Sequence, residues 1–373
     1  MPLPIVLRYD RDLDVELVKA LDPLAADAPC RRLRRMNDLA DVAALVATMR
    51  ELLPDAERLS AYTPFECLAA MRDLGLFLGS IKRHGVEPME ALPEAESVLL
   101  TLGLRTDMVP RDTVHHYVAW NPTGPRARTY TDEPMEGCLI SAARLSMPPL
   151  GDAVECCRRL VDLEPGDPEF PEVAFELAHA LKAMERAIDA ALEHVTPGFF
   201  ARTLRPYFED VRVAGERYLG PAAAHVPLSL IDLAVWASDH GTRAYEEFWR
   251  ESQRYALPPW RALYILWEKG PSLISRLVGA FDGPLTPDLH ASAEALCRAL
   301  RSLVVFRGKH IGMARRAYDE PLRLYSLGSG GGSLDLLNQV LVLTRKNSDL
   351  TRRSLELCRA HQAASAARAA KAG

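Results

Sequence analysis

"PEVAFELAHALKAMERAIDAALEHV", residues 171–195, decides the fold class. Its apolar positions Leu177, Leu181, Met184, Ile188, Leu192 and Val195 recur at spacings of three and four, the signature of one face of an α-helix. Pro171 opens the segment and "TPG" (196–198) closes it. The same period runs through 40–53, 64–84, 153–162, 228–238, 241–254, 257–267, 272–280, 288–318 and 334–361, and sustained period-two alternation is missing. The chain is therefore expected to be all-α. Residues 103–137, rich in Pro, Gly, Thr and Asp, interrupt the pattern, and "HHYVAW" (115–120) is the one candidate strand. So long an irregular stretch is expected to be functional or to connect domains. The end, "AASAARAAKAG" (363–373), reads as a fraying helix terminus.

With 373 residues, 48% of them hydrophobic and 25% charged, there is ample chain to enclose a cofactor. The net charge of -5 gives no basic footprint for nucleic acid. Neither a signal-like start nor a long apolar run is present, so no membrane association is expected and the location is expected to be cytoplasmic. The seven cysteines (30, 67, 138, 156, 157, 297 and 358) are scattered without C-x-x-C spacing and read as reduced packing residues.

Ten histidines invite a search for metal chemistry, yet H-E-x-x-H, zinc-spaced Cys/His pairs and an EF-hand loop are missing. So are G-x-S-x-G, Walker A and the dinucleotide-binding glycine fingerprint. His115 and His116 are adjacent, so their side chains diverge in a strand or a helix alike. The glycine-rich run at 328–332 lacks the Lys of a phosphate loop and by itself reads as a surface turn.

His310 has more specific surroundings. At 100° per residue, Leu296, Leu300, Leu303, Arg307, His310 and Ala314 share one helix face, so a guanidinium and an imidazole stand in an otherwise apolar stripe. Buried charges need partners, and a buried imidazole needs its hydrogen bonds. A haem would meet both needs, its iron taking the imidazole and a propionate the guanidinium. A core histidine beside a salt-bridged arginine would meet them as well. In the helix at 64–84, Cys67, Met71, Leu74, Leu78 and Ile81 form a core stripe, and Asp73, Leu76, Phe77, Ser80 and His84 a second one. Gly75 and Gly79 cost about 1 kcal/mol each relative to Ala in a helix, so a flat face against a large group or close helix packing is expected there. A lone Ser in the second stripe suits an apolar pocket wall with one polar handle.

Six blocks in order extend these observations: "AAMRDLGLFLGSIKRHGVEP" (69–88), "AWNPTGP" (119–125), "LRPYFEDVRVAGERYLGP" (204–221), "YALPPWRALY" (255–264), "FRGKHIGMARRAY" (306–318) and "LGSGGG" (327–332). Together they resemble the haem-dependent superfamily that contains the indoleamine and tryptophan 2,3-dioxygenases and, within it, the monodechloroaminopyrrolnitrin synthase family. The resemblance implies an indoleamine 2,3-dioxygenase-like helical haem-binding fold with a reduced N-terminal portion. Residues 1–60 would form that portion, 61–362 the haem-binding catalytic domain and 363–373 a tail. It implies haem b as cofactor, His310 as the iron ligand and Arg307 at a propionate. Tyr318, Ser329 and Gly330 would hold the amino-acid end of the substrate, Arg205 in "LRPY" its carboxylate, and Leu76, Phe77 and Ser80 the opposite haem face. His310, Ser80 and Tyr318 are thereby the candidate catalytic residues. No histidine stands where tryptophan dioxygenase places its distal one, which leaves Ser80 as at most a hydrogen-bond donor.

The activity implied is oxidation of L-tryptophan or a 7-halogenated tryptophan by dioxygen or peroxide, with indole-to-phenylpyrrole rearrangement and loss of the carboxyl group. The wider superfamily also implies ring cleavage with insertion of both oxygens, and aromatic hydroxylation. A reading from another class is a haem-binding sensor that takes no amino acid.

Overall fold

The computed structural model describes residues 12–221, 226–317, 325 and 327–372. The N-terminal part consists of α1 (Asp12–Ala20), α2 (Asp27–Asp38), α3 (Val42–Leu52), α4 (Ala56–Ala61), α5 (Pro64–Arg83), α6 (Pro88–Ala91) and α7 (Ala95–Thr106). Its axis is α5. Thr63 and Glu66 start this helix with a capping box: the Thr63 amide donates to Glu66 Oε2 at 2.7 Å, and the Glu66 amide donates to Thr63 Oγ1 at 3.2 Å. Helices α1, α2, α3 and α7 pack against it, and every residue from Cys67 to Ile81 is buried, which takes in both stripes read from the sequence except the half-buried His84.

Residues 107–133 follow without a long helix, but they are not a loose connection. "HHYVAW" is not a strand; His115–Ala119 makes a single π-helical turn with both histidines buried, and Gly124–Arg126 makes a 3-10 turn. Buried ion pairs hold the stretch to α5. Asp73 Oδ1 accepts from Arg72 Nε and Arg128 Nε, each at 2.8 Å, and Arg128 Nη2 also reaches Asp27 at 2.7 Å.

The second part contains α8 (Pro134–Asp162), α9 (Glu169–His194), a π-helical turn at Phe199–Leu204 and a 3-10 turn at Arg205–Phe208. A hairpin of β1 (Val211–Val213) and β2 (Glu216–Tyr218) comes next, with Val211 opposite Tyr218. Both turn residues have positive φ, Ala214 at 52° and Gly215 at 79°, as a tight two-residue hairpin turn requires. Three-residue strands are too short for period-two alternation to stand out, so this small sheet was not expected. The remaining helices are α10 (Leu228–Asp232), continued by a π-helical turn at Leu233–Ala237, then α11 (Ser238–His240), α12 (Arg243–Gln253), α13 (Pro258–Trp267), α14 (Leu273–Ala280), α15 (Pro287–Ala317) and α16 (Leu334–Ala372). The expected all-α class holds. Helix α9 packs along both α8 and α15, and α15 packs along α16. These four long helices frame the cavity described next.

Candidate functional site

Thr286 begins α15 by accepting the Leu289 amide at 3.1 Å, and Leu289, Leu296, Leu300 and Leu303 bury one face of the helix. The apolar face continues to Arg307 and His310, where it borders a cavity of about 530 Å³. The walls are mainly apolar and many are short: Ala143 of α8, Ala187 and Ala191 of α9, and Ala314 and Ala317 of α15. Short side chains leave room for a broad group to lie close to the helices.

His310 lies within the protein but keeps surface facing the cavity. Burial, and secondarily the charge of Arg307, lowers its pKa to about 4, so the ring is neutral at pH 7. The ring stacks on that of Phe306 at 5.6 Å, and among the described residues no group hydrogen-bonds to the imidazole. Arg307, one turn earlier, is only 6% exposed. Its Nη2 donates to Asp232 Oδ2 and its Nη1 to Thr344 Oγ1. Asp232 is fully buried and also accepts from Trp236 Nε1 at 2.9 Å and from the Tyr245 hydroxyl. This carboxylate neutralises Arg307 and fixes Tyr245, both of which line the cavity. The salt-bridged alternative for Arg307 is therefore realised. Sequence reasoning did not name Asp232, although a lone acid within "LSLIDLAVWA" (228–237) was a legible sign that a buried cation had to meet it.

Ser329 and Gly330 border the same cavity. Their turn is closed by the Gly328 amide donating to the Gly332 carbonyl at 2.8 Å and the Gly331 amide to the Gly328 carbonyl at 3.0 Å. Gly331 has φ +80°, a conformation glycine adopts without strain. Ser333 then caps α16 by accepting the Leu336 amide at 3.1 Å. The histidine and the glycine-rich turn thus meet at one cavity, although seventeen residues separate His310 from Gly328. Tyr318 lies outside the described residues.

Other expected members stand elsewhere. Leu76, Phe77 and Ser80 are buried on α5 and do not line the cavity with His310. A side chain at Gly75 would run into Asp112, and one at Gly79 would come within 2.7 Å of Tyr130 Oη and the Tyr207 carbonyl oxygen. These glycines admit the 107–133 stretch and the Tyr207 turn, not a bound group, and that covering takes the second stripe of α5 out of contention as a wall. The corresponding wall is on α8, with Leu139, Ile140 and Ala143. Pro148 and Pro149, inside this helix, hid its first half from pattern reading. Arg205 is also away from His310. It borders a second cavity of about 340 Å³ with Lys82, Glu209, Arg217 and Tyr325, which shares no lining residue with the first. There its guanidinium lies 4.2 Å from the Tyr325 ring centroid, and its Nε and Nη1 have no hydrogen-bond partner among the described residues.

The residues around the main cavity fit a haem: a neutral imidazole without a hydrogen-bond partner among the described residues faces a broad, mainly apolar space. A haem needs only one protein donor to iron, so the absence of a His/Cys/Asp/Glu cluster among the described residues does not bear on it. No helix among the described residues is long and apolar enough to cross a membrane.

Fold and site together define an all-α protein with a mainly apolar cavity beside a neutral histidine. The family model of monodechloroaminopyrrolnitrin synthase PrnB matches residues 16–368, and the chain belongs to this family of biosynthetic synthases.

Proposed function

We propose that the protein is a haem b-dependent oxidoreductase of pyrrolnitrin-type biosynthesis. It acts on L-tryptophan or a 7-halogenated tryptophan, rearranging the indole to an aminophenylpyrrole with loss of the carboxyl group. The observation that carries this reading is His310, neutral and facing a cavity of about 530 Å³ in a chain of this family. Haem, when bound, supplies the redox chemistry that activates dioxygen or peroxide.

The chain's own residues supply binding and orientation. His310 holds the iron. Arg307, with donors left after Asp232 and Thr344 are served, meets a propionate, and Asp232 keeps its guanidinium from being an uncompensated buried charge. The apolar walls from α8 and α9 exclude water from the indole, and the amides of Ser329 and Gly330 receive the amino-acid end. Holding the indole in one pose is the protein's main contribution to rate and outcome.

The test is anaerobic reduction of the haem-loaded protein, then oxygen with L-tryptophan, chlorotryptophans or L-tyrosine, followed by mass analysis. Loss of CO2 without net oxygen insertion supports the rearrangement. Gain of one or two oxygens replaces it with hydroxylation or ring cleavage. A Soret band that no aromatic amino acid perturbs argues for a sensor.

A further inference from the structure

Five titratable side chains line the main cavity among the described residues: Tyr117, Tyr245, Arg307, His310 and Asp335. Four of them bring it no net charge. The tyrosine hydroxyls are protonated donors, Tyr117 to Glu136 at 2.6 Å and Tyr245 to Asp232. Arg307 is matched by Asp232. His310 is a neutral imidazole, free or as a ligand. Asp335 is different: it is exposed in the first turn of α16, borders the cavity, and no described residue forms an ion pair or hydrogen bond with its carboxylate.

Its neighbours are of the opposite kind. The glycine-rich turn uses the Gly328 and Gly331 amides for its own closure, so those of Ser329 and Gly330 are left outside it. A molecule bound here meets N–H donors and a carboxylate on one short segment, 329–335, which is the complement of an amino-acid zwitterion.

We propose that Asp335 receives the α-ammonium group of the amino-acid substrate, and thereby selects ligands that carry an amine over the corresponding simple acids. The proposal rests on the aromatic amino-acid reading given above. A first-turn Asp also favours its helix through the helix dipole. That role would appear in thermal stability and would not alter the ranking of ligands.

Isothermal calorimetry on the haem-loaded protein with L-tryptophan, tryptamine and indole-3-propionate separates the possibilities. Asp335→Asn is expected to weaken L-tryptophan and tryptamine about tenfold, the loss typical of one charge-assisted hydrogen bond, and to leave indole-3-propionate unchanged or tighter. Asp335→Glu should restore part of the preference for amines. Equal weakening of all three, or no change in any, overturns the assignment of Asp335 while leaving the tryptophan reading intact. If the unmodified protein binds none of the three, the tryptophan reading fails and the assignment fails with it.

Discussion

Asp232 and Arg307 illustrate how one buried pair serves both stability and the site. Both side chains are almost wholly out of water, and each would be an isolated charge without the other. Asp232→Asn is expected to destabilise the protein by about 3–5 kcal/mol, measured from urea midpoints at constant slope. The double change Asp232→Leu with Arg307→Met should cost clearly less, because no charge is stranded; an equal cost would mean that packing dominates the site. His116 makes a second residue-scale case. Its Nδ1 accepts the Thr113 amide at 3.0 Å, and burial holds its pKa well below 6.5. The neutral ring carries no penalty above pH 6.5. As pH falls below that value the unfolded chain takes up a proton that the folded one refuses, so stability declines. The fall in melting temperature between pH 7.5 and 5 should be shallower in His116→Asn, and an unchanged slope would assign it to other groups. At this scale the sequence revealed that Arg307 and His310 share an apolar face. It left open whether protein or ligand satisfies Arg307, because the partner lies 75 residues away on a different helix.

At the scale of elements, α8 supplies the cavity wall that pattern reading expected of α5. Two apolar stripes on α5 suggested one face for the core and one for a pocket. Periodicity shows which faces are buried and not what buries them, and here residues 107–133 cover the second face. Helix α8 was legible only after its prolines, since a Pro removes a helical hydrogen bond and clashes with the preceding turn. Burial of Ile140 and Ala142 before Pro148 and of Leu150, Ala153 and Val154 after Pro149, against α9, compensates for both. Glycine substitutions test this difference. Gly79→Ala, pressed on Tyr130 and the Tyr207 backbone, should destabilise by about 1–3 kcal/mol. Gly151→Ala in α8, where a new Cβ meets nothing within 4 Å, should stabilise by about 0.5–1 kcal/mol. Both are read from chemical denaturation, and a neutral Gly79→Ala would show that α5 has slack against its cover.

For the whole molecule, the cavity belongs to no single segment: α8, α9, α15, the start of α16 and the turn at Phe199–Leu204 each contribute a wall. The helical class was legible because each long helix carries its own period, whereas the cavity depends on how four helices meet. That dispersion gives the haem assignment a consequence apart from activity. A group seated among so many elements binds the folded chain and not the unfolded one, so it must raise the unfolding free energy, by about 2.7 kcal/mol at a hundredfold excess over its dissociation constant. Haem-loaded protein should therefore melt higher than protein expressed without a haem precursor. His310→Ala should lose the histidine-ligated Soret spectrum and most of that increment, with the helical circular dichroism of the haem-free form intact. Should haem raise the melting temperature of His310→Ala as much as that of the parent, the imidazole is not its anchor, and His310 reverts to a cavity-facing core residue of α15.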